Sequence, residues 1–204
     1  RGILVCLGCE TDFVAKNSDF QDLAMGIART ALESMPDSLE DLLKLPFGEG
    51  SVNDAVTQQT GKSGEKHAIP FYNKLEAPFV ASYIHMNNKV ATIVGFTKPI
   101  SAEAGKEIAM QITAMVPVAV NRDSCPQEII DKELHIYREQ IRMEGKPEEM
   151  VEKIAMGKLN KFFKEYTLED QTFVKDGKIS VKEYLKTIDP EVKVTGFHRF
   201  SLND

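Results

Sequence analysis

The sequence predicts an α+β fold, and three observations predict it. Short apolar runs bounded by Gly, Pro or Asn alternate with longer amphipathic runs; the order strand then helix occurs twice; and the two helices so placed echo each other. In that echo, Asp22-Leu23-Ala24-Met25-Gly26-Ile27-Ala28 and Glu107-Ile108-Ala109-Met110-Gln111-Ile112-Thr113 match at Ala, Met and Ile in register. A seven-residue match is short for a repeat, but with the repeated order it predicts two similar subdomains, each a small antiparallel sheet with helices. An antiparallel helical hairpin interrupts the second. The expected divisions are 1–98 for the N-terminal core subdomain, 99–123 with 167–204 for the C-terminal one, and 124–166 for the coiled-coil-like insert.

Ile3-Leu4-Val5-Cys6-Leu7, between Gly2 and Gly8, is a buried-strand run. Ser18 with Gln21 has the spacing of a capping box and predicts a helix with Phe20, Leu23, Ala24, Ile27 and Ala31 on one face, ending before Pro36. A shorter helix is expected from Leu39 to Leu45, then a loop through Pro46, Gly48 and Gly50. Ser51 is the expected cap of a third helix, which the tolerance of glycine for left-handed backbone would stop at Gly61. Ile69, Phe71 and Leu75 mark a strand. Phe79 to Met86 and Val90 to Phe96 flank Asn87-Asn88, and Asn accepts positive φ, so these two runs read as a hairpin. Pro70 and Pro78 belong at sheet edges or strand ends.

Ser101 caps the next predicted helix, with Ile108, Ala109, Ile112, Met115 and Val116 on one face, ending at Pro117. In the insert, Ser124 and Pro126 open a helix whose Ile130, Leu134, Tyr137 and Ile141 follow coiled-coil seam spacing until Gly145. Lys146-Pro147 starts the return helix, with Val151, Ile154, Ala155, Leu159, Phe162 and Tyr166 expected to face inward. So short a turn forces antiparallel packing, either as a projecting arm or laid on the body. Asp176-Gly177 is a turn, Ser180 with Glu183 is a second capping box, and Val192, Val194, His198, Phe200 and Leu202 alternate as a last strand.

A net charge of -6 disfavours a broad phosphate-binding surface, because sequence-independent nucleic-acid affinity comes from Lys and Arg. No nucleic-acid partner is expected. No apolar run reaches membrane-span length and no export signal is visible, so no membrane partner and a cytoplasmic location are expected. Three cysteines do not suggest a disulfide scaffold. Cys6-Leu7-Gly8-Cys9 has redox or zinc spacing, but a strand splits residues three apart to opposite faces, and the remaining zinc ligands would have to come from Cys125 and scattered histidines. Gly61-Lys62-Ser63-Gly64 lacks the upstream glycine of a phosphate loop and follows a helix where that loop follows a strand. No metal, no cofactor, no direct nucleotide binding and no enzymatic nucleophile are expected. The rival from enzyme chemistry is a thiol enzyme using Cys6 and Cys9, which requires a reactive thiol.

One stretch resists a purely structural reading. Cys9-Glu10-Thr11-Asp12-Phe13-Val14-Ala15-Lys16-Asn17 connects a strand to a helix, where small polar residues are usual, yet it carries a large aromatic and a valine. The structural explanation is a staple folded onto the next helix. The string, however, resembles the signature of the elongation factor Ts family, the guanine-nucleotide exchange factors of elongation factor Tu. Tyr83-Ile84-His85, Ser63-Gly64-Glu65-Lys66, Gly145-Lys146-Pro147-Glu148 and Gln171-Thr172-Phe173-Val174 resemble further family strings. The resemblance implies a two-subdomain core and a protein that binds GDP-bound and nucleotide-free elongation factor Tu and promotes GDP release by disturbing its magnesium and phosphate site. It implies partner-binding roles for Thr11, Asp12, Phe13 and Val14, with further contacts at Gly64 and His85; where the family has an apolar contact, this chain has Ser63. Family members carry a small helical domain before the first strand, and the start at Arg1 reads as a fragment lacking it. The alternative is a scaffold that holds the elongation factor without exchange activity in this truncated form.

Overall fold

The computed structural model describes residues 1–204. Strand β1 (Gly2–Gly8) leads through a one-turn helix α1 (Asp12–Ala15) into α2 (Ser18–Ser34), followed by α3 (Leu39–Lys44), a two-residue-stranded hairpin of β2 (Pro46–Phe47) and β3 (Gly50–Ser51), and α4 (Val52–Ser63). Then come β4 (Ala68–Leu75), β5 (Phe79–Ile84), β6 (Val90–Phe96) and α5 (Ala102–Met115). The insert supplies α6 (Gln127–Met143) and α7 (Glu148–Tyr166), and the chain closes with α8 (Val181–Ile188) and β7 (Val194–Ser201). The fold is α+β, as the sequence predicts.

β1 pairs antiparallel with β4, and β5, β6 and β7 form an antiparallel sheet in that order. β5 and β6 precede residue 98 yet share a sheet and a core with β7, so strand pairing runs across the expected 98/99 division. Each sheet has its own helical cover. Ile3, Val5 and Leu7 of β1 pack with Ile27 and Ala31 of α2 and Val52 and Val56 of α4. Val94 and Phe96 of β6 pack with Ile108, Ala109 and Ile112 of α5 and with Val181 and Leu185 of α8. The opposite faces of the two sheets meet: Phe71 of β4 stacks on Phe200 of β7 with ring centroids 4.4 Å apart. At that seam a Cβ on Gly2 would come within 2.7 Å of Val80, so only glycine permits the approach.

The echo between α2 and α5 is structural. Ile27 and Ile112 are both buried, and each helix ends on a left-handed residue that is not glycine, Met35 and Val116, both with φ 47°, followed by a proline.

Several local expectations shift. The N-cap of α2 is Asn17, not Ser18, because Asn17 Oδ1 accepts from Asp19 N at 2.9 Å; the Gln21 amide donates to Ala15 O, so the expected capping box does not form. α4 runs past Gly61 to the left-handed Gly64 at φ 75°. Ser51 and Asp54 complete a capping box at its start, as Ser180 and Glu183 do for α8. In α7, Tyr166 is 43% exposed and Phe163 takes the inward place, because α7 leaves the seam where it meets the body.

The helical hairpin carries its own core. Far from the body, Ile141, Val151 and Ala155 pack with Leu134, Tyr137 and Ile154, all hairpin residues. Only at the base do Leu159, Phe162 and Phe163 meet Ala119 and Cys125. The distal half is therefore held by its two helices alone and projects as an arm, braced outside by Arg138–Glu152 and Arg142–Glu148 pairs.

Candidate functional site

Thr11 is the N-cap of α1: its side chain accepts from Val14 N at 3.4 Å, which aims the single turn Asp12–Ala15 away from the body. Phe13, at the centre of that turn, is 88% exposed, so it is not a staple. Val14 beside it is half-buried.

The turn is fixed from outside its own sequence. Glu65, the residue after the left-handed cap of α4, accepts through Oε2 from Glu10 N at 3.2 Å and Thr11 N at 3.0 Å, and through Oε1 from the Thr11 hydroxyl at 2.5 Å. Glu10 reciprocates by accepting from Lys66 N at 3.1 Å. Four hydrogen bonds thus join two connections more than 50 residues apart in sequence. The Thr11 hydroxyl, together with the two backbone donors, holds the Glu65 carboxyl below its ordinary pKa. Ser63 Oγ accepts from Glu65 N at 3.1 Å, and the buried His67 places Nδ1 2.8 Å from Glu65 O, so the backbone around Glu65 is itself anchored. His67 Nε2 has no partner and the ring packs against Phe20 of α2.

The β5–β6 turn joins from the other side. Lys89 Nζ pairs with Asp12 Oδ1 at 3.1 Å. His85 opens that turn, exposed, with Nδ1 3.1 Å from the Tyr83 hydroxyl. Asn88, at φ 57°, supplies the left-handed residue the hairpin requires.

Of the predicted residues, Thr11 and Asp12 are thus tied directly to the connection that contains Gly64 and to the turn that contains His85. Gly64 meets nothing within 4 Å of an added Cβ, so the space beside it is open. Sequence reasoning gave no role to four contributors: Glu65 and Ile84, which it met only inside strings resembling the family's, Lys89, whose partner lies far away in sequence, and Met86; Ile84 and Met86 are 61% and 92% exposed. Met86 had a signal: it is a large apolar residue in an Asn-rich turn, the same anomaly that marks Phe13.

Other chemistry finds no support here. Burial pushes the Cys6 thiol up to about 11, and burial with the nearby Glu65 charge raises Cys9, so neither is a ready thiolate at neutral pH. The thiol-enzyme reading loses its nucleophile. Gly61-Lys62-Ser63-Gly64 lies at the C-terminal end of α4, where the helix dipole disfavours phosphate. No group of three or more His, Cys, Asp or Glu side chains gathers as metal ligands, and no helix is long and apolar enough to cross a membrane. The geometry presents an anchored display of exposed apolar and polar side chains around Phe13, Ile84 and Met86.

Comparison with known proteins gives a consistent result. A family model described as Elongation factor TS matches residues 10–204. Elongation factor Ts of Christiangramia forsetii is 47% identical over 204 residues, covering 99% of this chain and 74% of that protein. The Porphyromonas gingivalis protein of the same name is 44% identical, covering 98% and 73%. That of Chlorobium phaeobacteroides is 41% identical, covering 98% and 74%.

Proposed function

Since the chain belongs to the elongation factor Ts family, a family of translation elongation factors, we propose that it is a guanine-nucleotide exchange factor that binds elongation factor Tu and promotes GDP release. The observation that carries this reading is Phe13, a large aromatic held almost fully in solvent on a turn fixed by bonds from a distant loop. An exposed aromatic on a rigid mount loses little further freedom on binding, which is how interface anchors gain affinity.

Phe13 enters an apolar crevice of the partner's nucleotide-binding domain, with Thr11, Asp12 and Val14 flanking it; Gly64 and His85 widen the contact. The inserted turn displaces the segments that hold magnesium and the phosphates. Magnesium neutralises phosphate oxygens, so disturbing it weakens nucleotide binding steeply. Coupling is reciprocal: a factor that loosens GDP is itself loosened when nucleotide returns, and this releases the factor once GTP binds.

The test is release of a fluorescent GDP analogue from purified elongation factor Tu, alone, with this chain, and with its Phe13→Ala variant. Acceleration by the chain that falls about 30-fold or more in the variant, at unchanged thermal stability, is expected for an anchor of about 2 kcal/mol or more. Binding without acceleration would instead make the chain a holding module. Unfolding of the variant would return Phe13 to the role of a staple.

A further inference from the structure

We infer that Glu65 is the positioning residue of the exchange surface, a carboxylate buckle that holds the Phe13 turn in its partner-ready form. The inference rests on the function proposed above. It starts from an imbalance in the site: α1 is a single turn, and an isolated turn is far below the length at which a helix persists in water. No residue of α1 is fully buried, and only Val14 and Ala15 are half-buried, so packing holds it weakly.

What holds it is Glu65. Its two oxygens take three donors at once, Glu10 N, Thr11 N and the Thr11 hydroxyl, while Thr11 in turn caps the helix at Val14 N. Thr11 is therefore the shared member of two networks, one ordering α1 and one tying it to the α4–β4 connection. Hydrogen bonds to an ionised carboxylate are about twice as strong as neutral ones. The Glu10 carboxylate returns a bond to Lys66 N, so the two connections are buckled in both directions.

Position also argues for a role beyond stability. The side-chain hydrogen bonds of Glu65 all go to the connection that displays Phe13, while its backbone is held by Ser63 and His67. Removing the carboxylate leaves Phe13 unchanged chemically but frees the turn, so the partner must order it on binding. That ordering cost lowers affinity without removing a single contact. Glutamine makes a partial replacement: its carbonyl oxygen still accepts from the two backbone donors, while its amide donates to Thr11 Oγ1 where a carboxylate accepted.

The experiment is a double-mutant cycle on binding of the full chain to nucleotide-free elongation factor Tu, with Glu65→Ala, Glu65→Gln, Phe13→Ala and Phe13→Ala/Glu65→Ala. Amide hydrogen exchange at Glu10 and Thr11 in the free proteins accompanies it. Glu65→Ala is expected to weaken binding about tenfold and Glu65→Gln less than about threefold, with the unfolding temperature unchanged and faster amide exchange confined to the Phe13 connection. In the Phe13→Ala background, the further loss from Glu65→Ala is expected to shrink to less than about twofold, because a buckle without its anchor has nothing to position. A loss of equal size in both backgrounds would make Glu65 an independent contact or a general stabiliser and overturn the inference. So would Glu65→Ala binding as the wild type. Failure of Phe13→Ala alone to weaken binding would overturn the proposed function itself, and amide exchange would then still report whether the buckle orders the turn.

Discussion

Two connections in this molecule perform the same step, from a strand into an amphipathic helix, and treat their apolar residue in opposite ways. Between β6 and α5, Ile100 folds onto the core of Val94, Phe96 and Ile108. That connection is closed over by the segment before β7: Thr97 and Lys193 exchange two hydrogen bonds at 2.9 Å, and Lys98 pairs with Asp189 and Glu191. Between β1 and α2, the large apolar residue of the connection is Phe13, turned outward, and the bonds that fix the connection come from the α4–β4 loop. Both connections are anchored by distant partners. In one the anchor seals an apolar side chain inside; in the other it keeps one out. The fold does not require an exposed Phe13, since the second half of the echo makes the same step without one.

The sharpest way to break this contrast is to truncate both residues. Phe13→Ala is expected to remove about 2–4 kcal/mol of interaction with the partner, as central aromatic anchors do, and to leave the unfolding temperature where it was. Ile100→Ala is expected to do the reverse. It costs about 2 kcal/mol of stability, at the low end for isoleucine truncation because Ile100 is only half-buried, and leaves binding intact below the melting temperature. Paired calorimetric melts and binding titrations would separate the two. If both variants lost stability and binding together, the two connections would be equivalent and the contrast would fail.

How much of this was legible in the sequence follows from the range of the interactions involved. The strand of β1, the β5–β6 hairpin around Asn88, the Ser51 cap, the Ser180 capping box and the seam of α6 rest on neighbours within a few residues, and local pattern found them. Phe13 stood out for the same reason, as a local anomaly, but local pattern explained it as a staple, and only the resemblance to the family implied that it faces a partner. The cap of α2 slipped by one residue because Asn17 and Ser18 are both competent and only the folded backbone chooses between them. Gly61 and Gly64 posed the same choice at the end of α4. The pairings of Glu65 and Lys89 were out of reach, since Thr11 and Asp12 lie 54 and 77 positions away (65 − 11 and 89 − 12), and no periodicity records such a pairing. The pairing of β6 with β7, whose starts at Val90 and Val194 are more than 100 positions apart, was hidden for that reason too.

A third variant sharpens the contrast at the level of the backbone. Gly64 ends α4 at φ 75° with open space where a Cβ would sit, so Gly64→Ala introduces no clash and only the conformational penalty of a left-handed L-residue. That penalty is about 1 kcal/mol, equivalent to a melting-temperature drop of about 2–4 °C in a chain of this size. Because Gly64 adjoins Glu65, the loss should appear in partner binding as well as in the melt. A fall in stability without any change in binding would mean that the loop beneath α1 is not coupled to the display of Phe13.

The smallest effect should come from the ion pair that reaches the display from the opposite side. Lys89 and Asp12 meet at 3.1 Å with side chains 39% and 69% exposed, so water and salt screen them, and pairs of this kind contribute under about 1 kcal/mol. Lys89→Ala should therefore slow exchange less than about fivefold, and raising ionic strength should bring wild type and variant together. Glu65 behaves differently, because its three bonds to Thr11 and Glu10 are directional, and two of them come from backbone donors that salt does not displace. If salt erased the Glu65→Ala effect as readily as the Lys89→Ala effect, the turn would be held by general electrostatics. If salt erased only the second, Glu65 would be the mount of the display and Lys89 a guide that orients the hairpin turn beside it.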